Sequence, residues 1–244
     1  MRKFGLIGKS ISYSFSESYF KNKFEKEHIK DASYQNFDLE SISEFIALIK
    51  KNNDIAGLNV TIPYKEVIIP YLYSINKTAA KIGAINTIKI TKKGNLKGYN
   101  TDYYGFINSL KPMLKRHHKN ALILGTGGAS KAIAYALNKL KINYTYVSRT
   151  KTKDNLTYKE LNEQIINKHL IIINCSPVGT FPKIQDCPDI PYEFITDRHI
   201  LYDLIYNPSE TLFLKKGKQL GATICNGLRM LELQAEKAWE IWNK

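Results

Sequence analysis

The sequence predicts an α/β fold in two consecutive blocks, built on mostly parallel sheet with helices on both faces. Two observations carry this. Short apolar runs of strand length alternate with segments of helical period, the pattern of βαβ units. A glycine-rich stretch at 125–128 then turns one apolar run straight into a helical segment.

The elements follow in order. Phe4 to Ile7 is a short apolar run and a strand candidate. Ser16 to Ile29 reads as a helix, with Phe20 and Phe24 on one face and Ser16 as its N-cap. Tyr34 to Leu39 is strand-like. Ser41 to Lys51 is a helix with Ile42, Phe45, Ile46 and Ile49 on one side, and Ile55 to Val60 is the next strand. A second block begins near residue 102. Ala121 to Leu124 is a buried strand, Ala129 to Leu140 a helix, and Tyr144 to Ser148, Leu170 to Asn174 and Ile200 to Leu204 are further strands. Ser176 to Pro191 carries four prolines and reads as loop. The last helix, Leu228 to Trp242, has an apolar stripe at Leu231, Ala235, Ala238 and Trp242.

Composition narrows the classes. A chain of 244 residues with 43% hydrophobic residues holds one large or two modest cores. The N-terminal stretch lacks the apolar region of a secretory signal, and no apolar run approaches the ~20 residues that span a bilayer. A soluble, cytoplasmic protein with no membrane partner is expected. Cys175, Cys187 and Cys225 are odd in number and lack metal-ligand spacing, so reduced thiols and no metal site are expected. The net charge of +14 suits anionic partners, yet the lysines are scattered. The one dense cluster, Lys115 to Lys119, reads as a solvated loop. A nucleic-acid binder would show a basic stripe interleaved with aromatics, and none is present.

The segment Gly125-Thr126-Gly127-Gly128-Ala129-Ser130 lies between a strand and a helix. Gly125 allows a tight turn, Gly127 lets a pyrophosphate reach the backbone, and the helix start supplies free N–H groups and partial positive charge. Ser130 stands where a third Gly or Ala is usual, and it is small enough for close helix–strand packing. A dinucleotide site follows. The end of the next strand selects the cofactor. An NAD site places Asp or Glu there for the ribose. This chain reads Val147-Ser148-Arg149-Thr150-Lys151-Thr152-Lys153, without an acid. Arg149 can fork onto a 2′-phosphate, Lys153 adds charge and Thr150 a hydroxyl, so NADP is expected.

In the first block Asn59-Val60-Thr61-Ile62-Pro63-Tyr64-Lys65 follows a strand directly, where α/β enzymes place chemistry. Lys65 is a candidate proton donor or acceptor. Asp102, in Gly98-Tyr99-Asn100-Thr101-Asp102, is either its acidic partner or an N-cap, and on that motif alone the cap is preferred.

With these motifs in order, the chain resembles the shikimate dehydrogenases from Phe4 to Ala235. The matches are Gly8-Lys9-Ser10-Ile11-Ser12-Tyr13-Ser14-Phe15-Ser16, Asn59 to Lys65, Gly83 to Thr87, Asn100 to Asp102, the glycine-rich loop, Arg149-Thr150, Asn174 to Gly179, Asp203 to Pro208 and Gly227 to Ala235. The resemblance implies a substrate domain at 1–101 completed by 227–244, and a Rossmann-like NADP domain at 102–226. It implies that Ser14 and Ser16 bind a substrate carboxylate, and that Asn59, Thr61, Asn86, Asp102, Gln234 and Tyr206 surround the ring. Lys65 and Asp102 would be the catalytic pair. Gly125, Thr126, Gly127, Gly128, Ala129, Ser148, Arg149, Thr150, Lys153, Gly227 and Met230 would hold NADP. The implied reaction is the reversible NADPH-dependent reduction of 3-dehydroshikimate to shikimate, on the way to chorismate and the aromatic amino acids, by a monomer or homodimer. Lys65 would stabilise charge on the reacting oxygen and protonate it, so no metal is required. Tyr13, Glu17, Ser148 and Thr180 stand where the family commonly has His, Pro, Asn and Met. A quinate/shikimate dehydrogenase that accepts NAD would carry an acid after Val147. A silent binding protein on the same scaffold would lack Lys65 or Asp102.

Overall fold

The computed structural model describes residues 1–11 and 14–244, so Ser12 of the serine motif and the substituted Tyr13 lie outside the described residues. The chain divides into two compact units, Met1–Thr101 with Gln234–Lys244, and Asp102–Leu233.

The first unit contains β1 (Arg2–Gly8), α1 (Phe15–Lys26), β2 (Ala32–Asp38), α2 (Phe45–Lys51), β3 (Ile55–Val60), α3 (Tyr64–Val67), β4 (Ser74–Ile75), α4 (Lys77–Ile82), β5 (Thr87–Ile90) and β6 (Leu96–Tyr99). Its strands lie in the order β2-β1-β3-β5-β6-β4. β1 runs parallel to β2 and β3, as the βαβ rhythm predicts. β5 is antiparallel to both β3 and β6, so this sheet is mixed, while its other pairings are parallel. A short connection forces the β5–β6 pair: Gly94, at φ +77°, closes a turn in which its N–H reaches Thr91 O at 2.8 Å. A link this short can only join antiparallel strands.

Both faces of this sheet are covered. Phe4 and Leu6 of β1 pack with Phe20, Phe24 and Tyr34 on one side, while Ile7 packs with Phe37, Phe45, Leu58 and Ile88 on the other. The C-terminal residues Ala235, Ala238 and Trp242 join the first of these clusters. Trp242 donates its indole N–H to Ile88 O at 3.0 Å. Gly57 makes room for that ring, because a Cβ at position 57 collides with Trp242 Nε1.

The second unit contains α5 (Asp102–Leu110), β7 (Asn120–Leu124), α6 (Gly128–Lys139), β8 (Asn143–Ser148), β9 (Asn155–Thr157), α7 (Glu163–Lys168), β10 (Ile171–Asn174), β11 (Ile200–Asp203), α8 (Leu212–Gln219), β12 (Thr223–Cys225) and the start of α9 (Leu228–Asn243). The sheet order is β12-β11-β10-β7-β8-β9, and every pairing is parallel. Counted within the unit, that is the 3-2-1-4-5-6 order of dinucleotide-binding sheets. Alternation sorts the core: Ala121, Ile123, Ile171 and Ile173 face α5 and α6, and Leu122, Leu124 and Ile172 face α7 and α8. Burial on both faces explains why β7 and β10 read as unbroken apolar runs. The segment read as loop, 176–191, holds no helix or strand.

Candidate active site

In the first unit, α1 starts one residue earlier than the sequence suggests, and its N-cap is Ser14, not Ser16. Ser14 is extended, at φ −133° and ψ 142°, and its Oγ accepts from Glu17 N at 3.2 Å. Cap geometry demands a non-helical residue, and Ser16 already lies inside the first turn. Both serines face β2. The Ser16 hydroxyl bonds the Tyr34 phenol, and Ser14 Oγ donates to Asn36 Oδ1 at 2.7 Å. Tyr34 and Asn36 are two apart on one strand and so share a face. Burial pushes the Tyr34 phenol far above its ordinary value, and its proton goes to Asn59 Oδ1 at 2.8 Å.

Asn59 is buried and is used within the unit. Its Nδ2 donates to Asn86 O at 3.3 Å and to Thr87 Oγ1 at 3.4 Å. In this geometry it positions neighbours. Asn86 is the hub: Nδ2 donates to Thr101 Oγ1 at 2.9 Å and to Gln234 Oε1 at 3.2 Å, and Oδ1 accepts from Thr101 N at 2.6 Å. Thus Ser16, Tyr34, Asn59, Asn86, Thr101 and Gln234 form one hydrogen-bonded sequence. Thr61 follows β3 and is tied to β1 through its N–H on Ile7 O at 2.9 Å. Lys65 is half-buried in α3, and its carbonyl accepts from Ile85 N at 2.7 Å, beside Asn86. Tyr64 clamps this short helix by donating to Leu39 O at 2.6 Å.

In the second unit, Asp102 is the buried first residue of α5, so the helix starts on it rather than after it. Gly125 sits at φ +107°, which a side chain rarely adopts, and a Cβ there would press on Ser176 N at 3.3 Å. β7 and β10 are the neighbours at which the strand order reverses, so the glycine turn lies at the switch point where such sheets bind ligands. Gly127 caps α6 and is open, since a Cβ added there meets nothing within 4 Å. Gly128 and Ala129 open the helix, and Thr126 is exposed. Ser130 is buried and donates to Gly127 O at 2.7 Å, which braces the turn that a third glycine would merely permit. These residues fit a dinucleotide.

The loop after β8 sorts its charges. Lys151 Nζ pairs with Glu160 at 2.6 Å, and that bond with those from Thr157 holds the Glu160 carboxyl down at about 2. Arg149 and Lys153 are exposed and form no ion pair among the described residues. Ser148 donates to Thr150 O at 2.6 Å and accepts from Asn155, giving the loop a fixed shape. Gly227 lies so close to Leu204 that a Cβ would collide with its carbonyl oxygen. Met230 packs into the core beside Phe106 and Leu110. Tyr206 is exposed in the segment after β11.

One constellation was not singled out from sequence. Asp203, fully buried, accepts from Asn174 Nδ2 at 3.0 Å, Ile205 N at 3.0 Å and Thr211 Oγ1 at 2.6 Å. Burial pushes its carboxyl up to about 6. Asn174 in turn holds Ser176 and Val178, so Asp203 braces the loop that Gly125 faces. Both ends lie in stretches matched to the family, Asn174 to Gly179 and Asp203 to Pro208, but their pairing across 29 residues is not written in either motif. Among the described residues, no group of three or more His, Cys, Asp or Glu could hold a metal ion, and no helix is long and apolar enough to cross a membrane.

Known proteins resemble this chain throughout. Residues 6–88 match the model of the shikimate dehydrogenase substrate binding domain. The NADP(+) shikimate dehydrogenase of Methanosphaera stadtmanae is 39% identical, over 98% of this chain and 90% of the relative. The crystal structure of shikimate dehydrogenase 1 from Peptoclostridium difficile superimposes with a TM-score of 0.87 at 41% identity, covering 100% of this chain and 92% of that one. The Thermus thermophilus shikimate 5-dehydrogenase, solved in complex with NADP(H) and shikimate, gives a TM-score of 0.88 at 27% identity over 99% and 93%.

Proposed function

The chain belongs to the shikimate dehydrogenase family, and from that premise we propose that it is an NADP-dependent oxidoreductase interconverting 3-dehydroshikimate and shikimate. The observation that carries the reading is an open glycine turn at the switch point of a 3-2-1-4-5-6 sheet, followed by a strand end whose free charges are basic. Bound NADPH supplies the hydride. Gly127 and the start of α6 receive its pyrophosphate, Arg149, Thr150 and Lys153 its 2′-phosphate, and Gly227 and Met230 shape the nicotinamide end.

The remaining chemistry belongs to side chains. Ser14 and Ser16 bind the carboxylate at the positive end of α1. Thr61, Asn86 and Gln234 hold ring hydroxyls, Asn59 fixes Asn86, and Tyr206 is a further substrate contact. Lys65, as an ammonium, stabilises the growing charge on the carbonyl oxygen and delivers the proton to it. Asp102, the buried first residue of α5, binds a substrate hydroxyl. Such an enzyme feeds chorismate formation and works in the cytoplasm.

NADPH absorbance followed on addition of 3-dehydroshikimate tests the reading. Oxidation with NADPH, far slower with NADH, is expected. No oxidation with either cofactor refutes it, and equal rates with NADH or on quinate would move the chain to the broader quinate/shikimate class.

A further inference from the structure

Ser14 is already occupied. Asn36 Nδ2 donates to Glu17 Oε2 at 2.7 Å. A carboxylate only accepts, so this bond fixes which end of the amide faces it. The amide oxygen is therefore turned to Ser14, 2.7 Å away, and an amide oxygen also only accepts. The Ser14 hydroxyl has to donate its single proton to Asn36, while its oxygen accepts from Glu17 N. An incoming carboxylate needs that same proton. Lys21 holds Glu17 in place from one turn on, at 2.6 Å. Glu17 also places a negative charge in the first turn of α1, where an anion would otherwise meet only the positive helix end. Ser16 is committed through a different partner: the Tyr34 phenol gives its proton to Asn59 Oδ1, so the Ser16 hydroxyl donates to the phenol oxygen, outside the reach of Asn36 and Glu17.

We propose that Asn36 and Glu17 are positioning residues that tune the carboxylate site by holding the Ser14 proton away from the anion, so that substrate binds only by breaking the Ser14–Asn36 bond. This rests on the reading of Ser14 as a carboxylate anchor. Neither residue touches the substrate; both act through Ser14. The effect falls on binding of the anion and not on hydride or proton transfer.

Steady-state kinetics with shikimate as the varied substrate test it. Asn36→Ala leaves the Ser14 hydroxyl free to turn to the anion. The KM for shikimate should fall about two- to tenfold, the factor matching one neutral hydrogen bond. Turnover and the KM for NADP should stay within about twofold, a split that a merely structural role would not produce. Glu17→Gln keeps the side-chain length but no longer obliges the Asn36 amide to face one way, and it removes the charge. It should lower the same KM, and it decides the matter if Asn36→Ala melts early. In a Ser14→Ala background the Asn36→Ala effect should vanish. If Ser14→Ala raises the KM while Asn36→Ala and Glu17→Gln leave it unchanged or raise it, the tuning role is wrong and the anchor stands. If Ser14→Ala leaves the KM unchanged, anchor and tuning role fall together.

Discussion

Arg149, Lys151 and Lys153 are three cations within five residues, and the structure assigns them unequal weight. Lys151 is bonded to Glu160 at 2.6 Å, and that carboxyl is held down at about 2, so the pair is neutral across the working pH range. Arg149 is free to form a bidentate, charge-assisted contact with a 2′-phosphate. Losing such a contact costs about 1.5–3 kcal/mol, or one to two decades in affinity. Lys153 is exposed, and an exposed ion pair contributes about 0–1 kcal/mol. Arg149→Ala should therefore raise the KM for NADP about 10- to 100-fold and leave that for NAD nearly unchanged. Lys153→Ala should raise it by at most about fivefold, and Lys151→Ala by less than about twofold. Glu160→Gln, which releases Lys151, should lower it slightly. The assay is initial rate at saturating shikimate with each cofactor varied, at one ionic strength, since screening weakens exposed charges. Equal effects of Arg149→Ala and Lys151→Ala, or equal effects of Arg149→Ala on both cofactors, would refute the assignment.

Lys65→Met keeps the stem and loses the ammonium, so turnover should drop by at least ~10²-fold while NADPH affinity, read by fluorescence titration, stays near wild type; retained turnover would remove Lys65 from the chemistry. Gly57→Ala should destabilise by about 1–3 kcal/mol in urea unfolding, because the new Cβ displaces the Trp242 ring and its bond to Ile88 O; an unchanged midpoint would mean the ring has room to move. Asp203 is an acid whose folded pKa lies above its unfolded value, so protons bind the folded state more tightly. Its contribution is present at low pH and is lost as pH rises from about 4 through about 6. Asp203→Asn removes that slope, and between pH 5 and pH 8 the variant should gain about 1 kcal/mol relative to wild type. A difference independent of pH would show that the carboxyl does not titrate there.

The sequence alone fixed what local rules encode. Apolar runs buried on both faces identified β7 and β10, and helical spacing identified α1, α6 and α9. The glycine turn and the acid-free strand end were legible because backbone freedom and charge at those points depend on the residue types themselves. The short strands β4, β5, β6, β9 and β12 escaped, since two to four residues give too little periodicity to register. The reversal of direction at β5 escaped with them. Cap position was misplaced by two residues because two serines are equally good caps, and only the backbone angles chose Ser14. The remaining decisions belonged to the tertiary structure. Lys151 meets Glu160 nine residues away, Ser14 meets Asn36 across 22, and Asn174 meets Asp203 across 29. A side chain's charge and hydrogen-bonding capacity are written in the chain, but which partner uses them depends on folding, because only packed strands and helices bring such distant positions within 3 Å of each other.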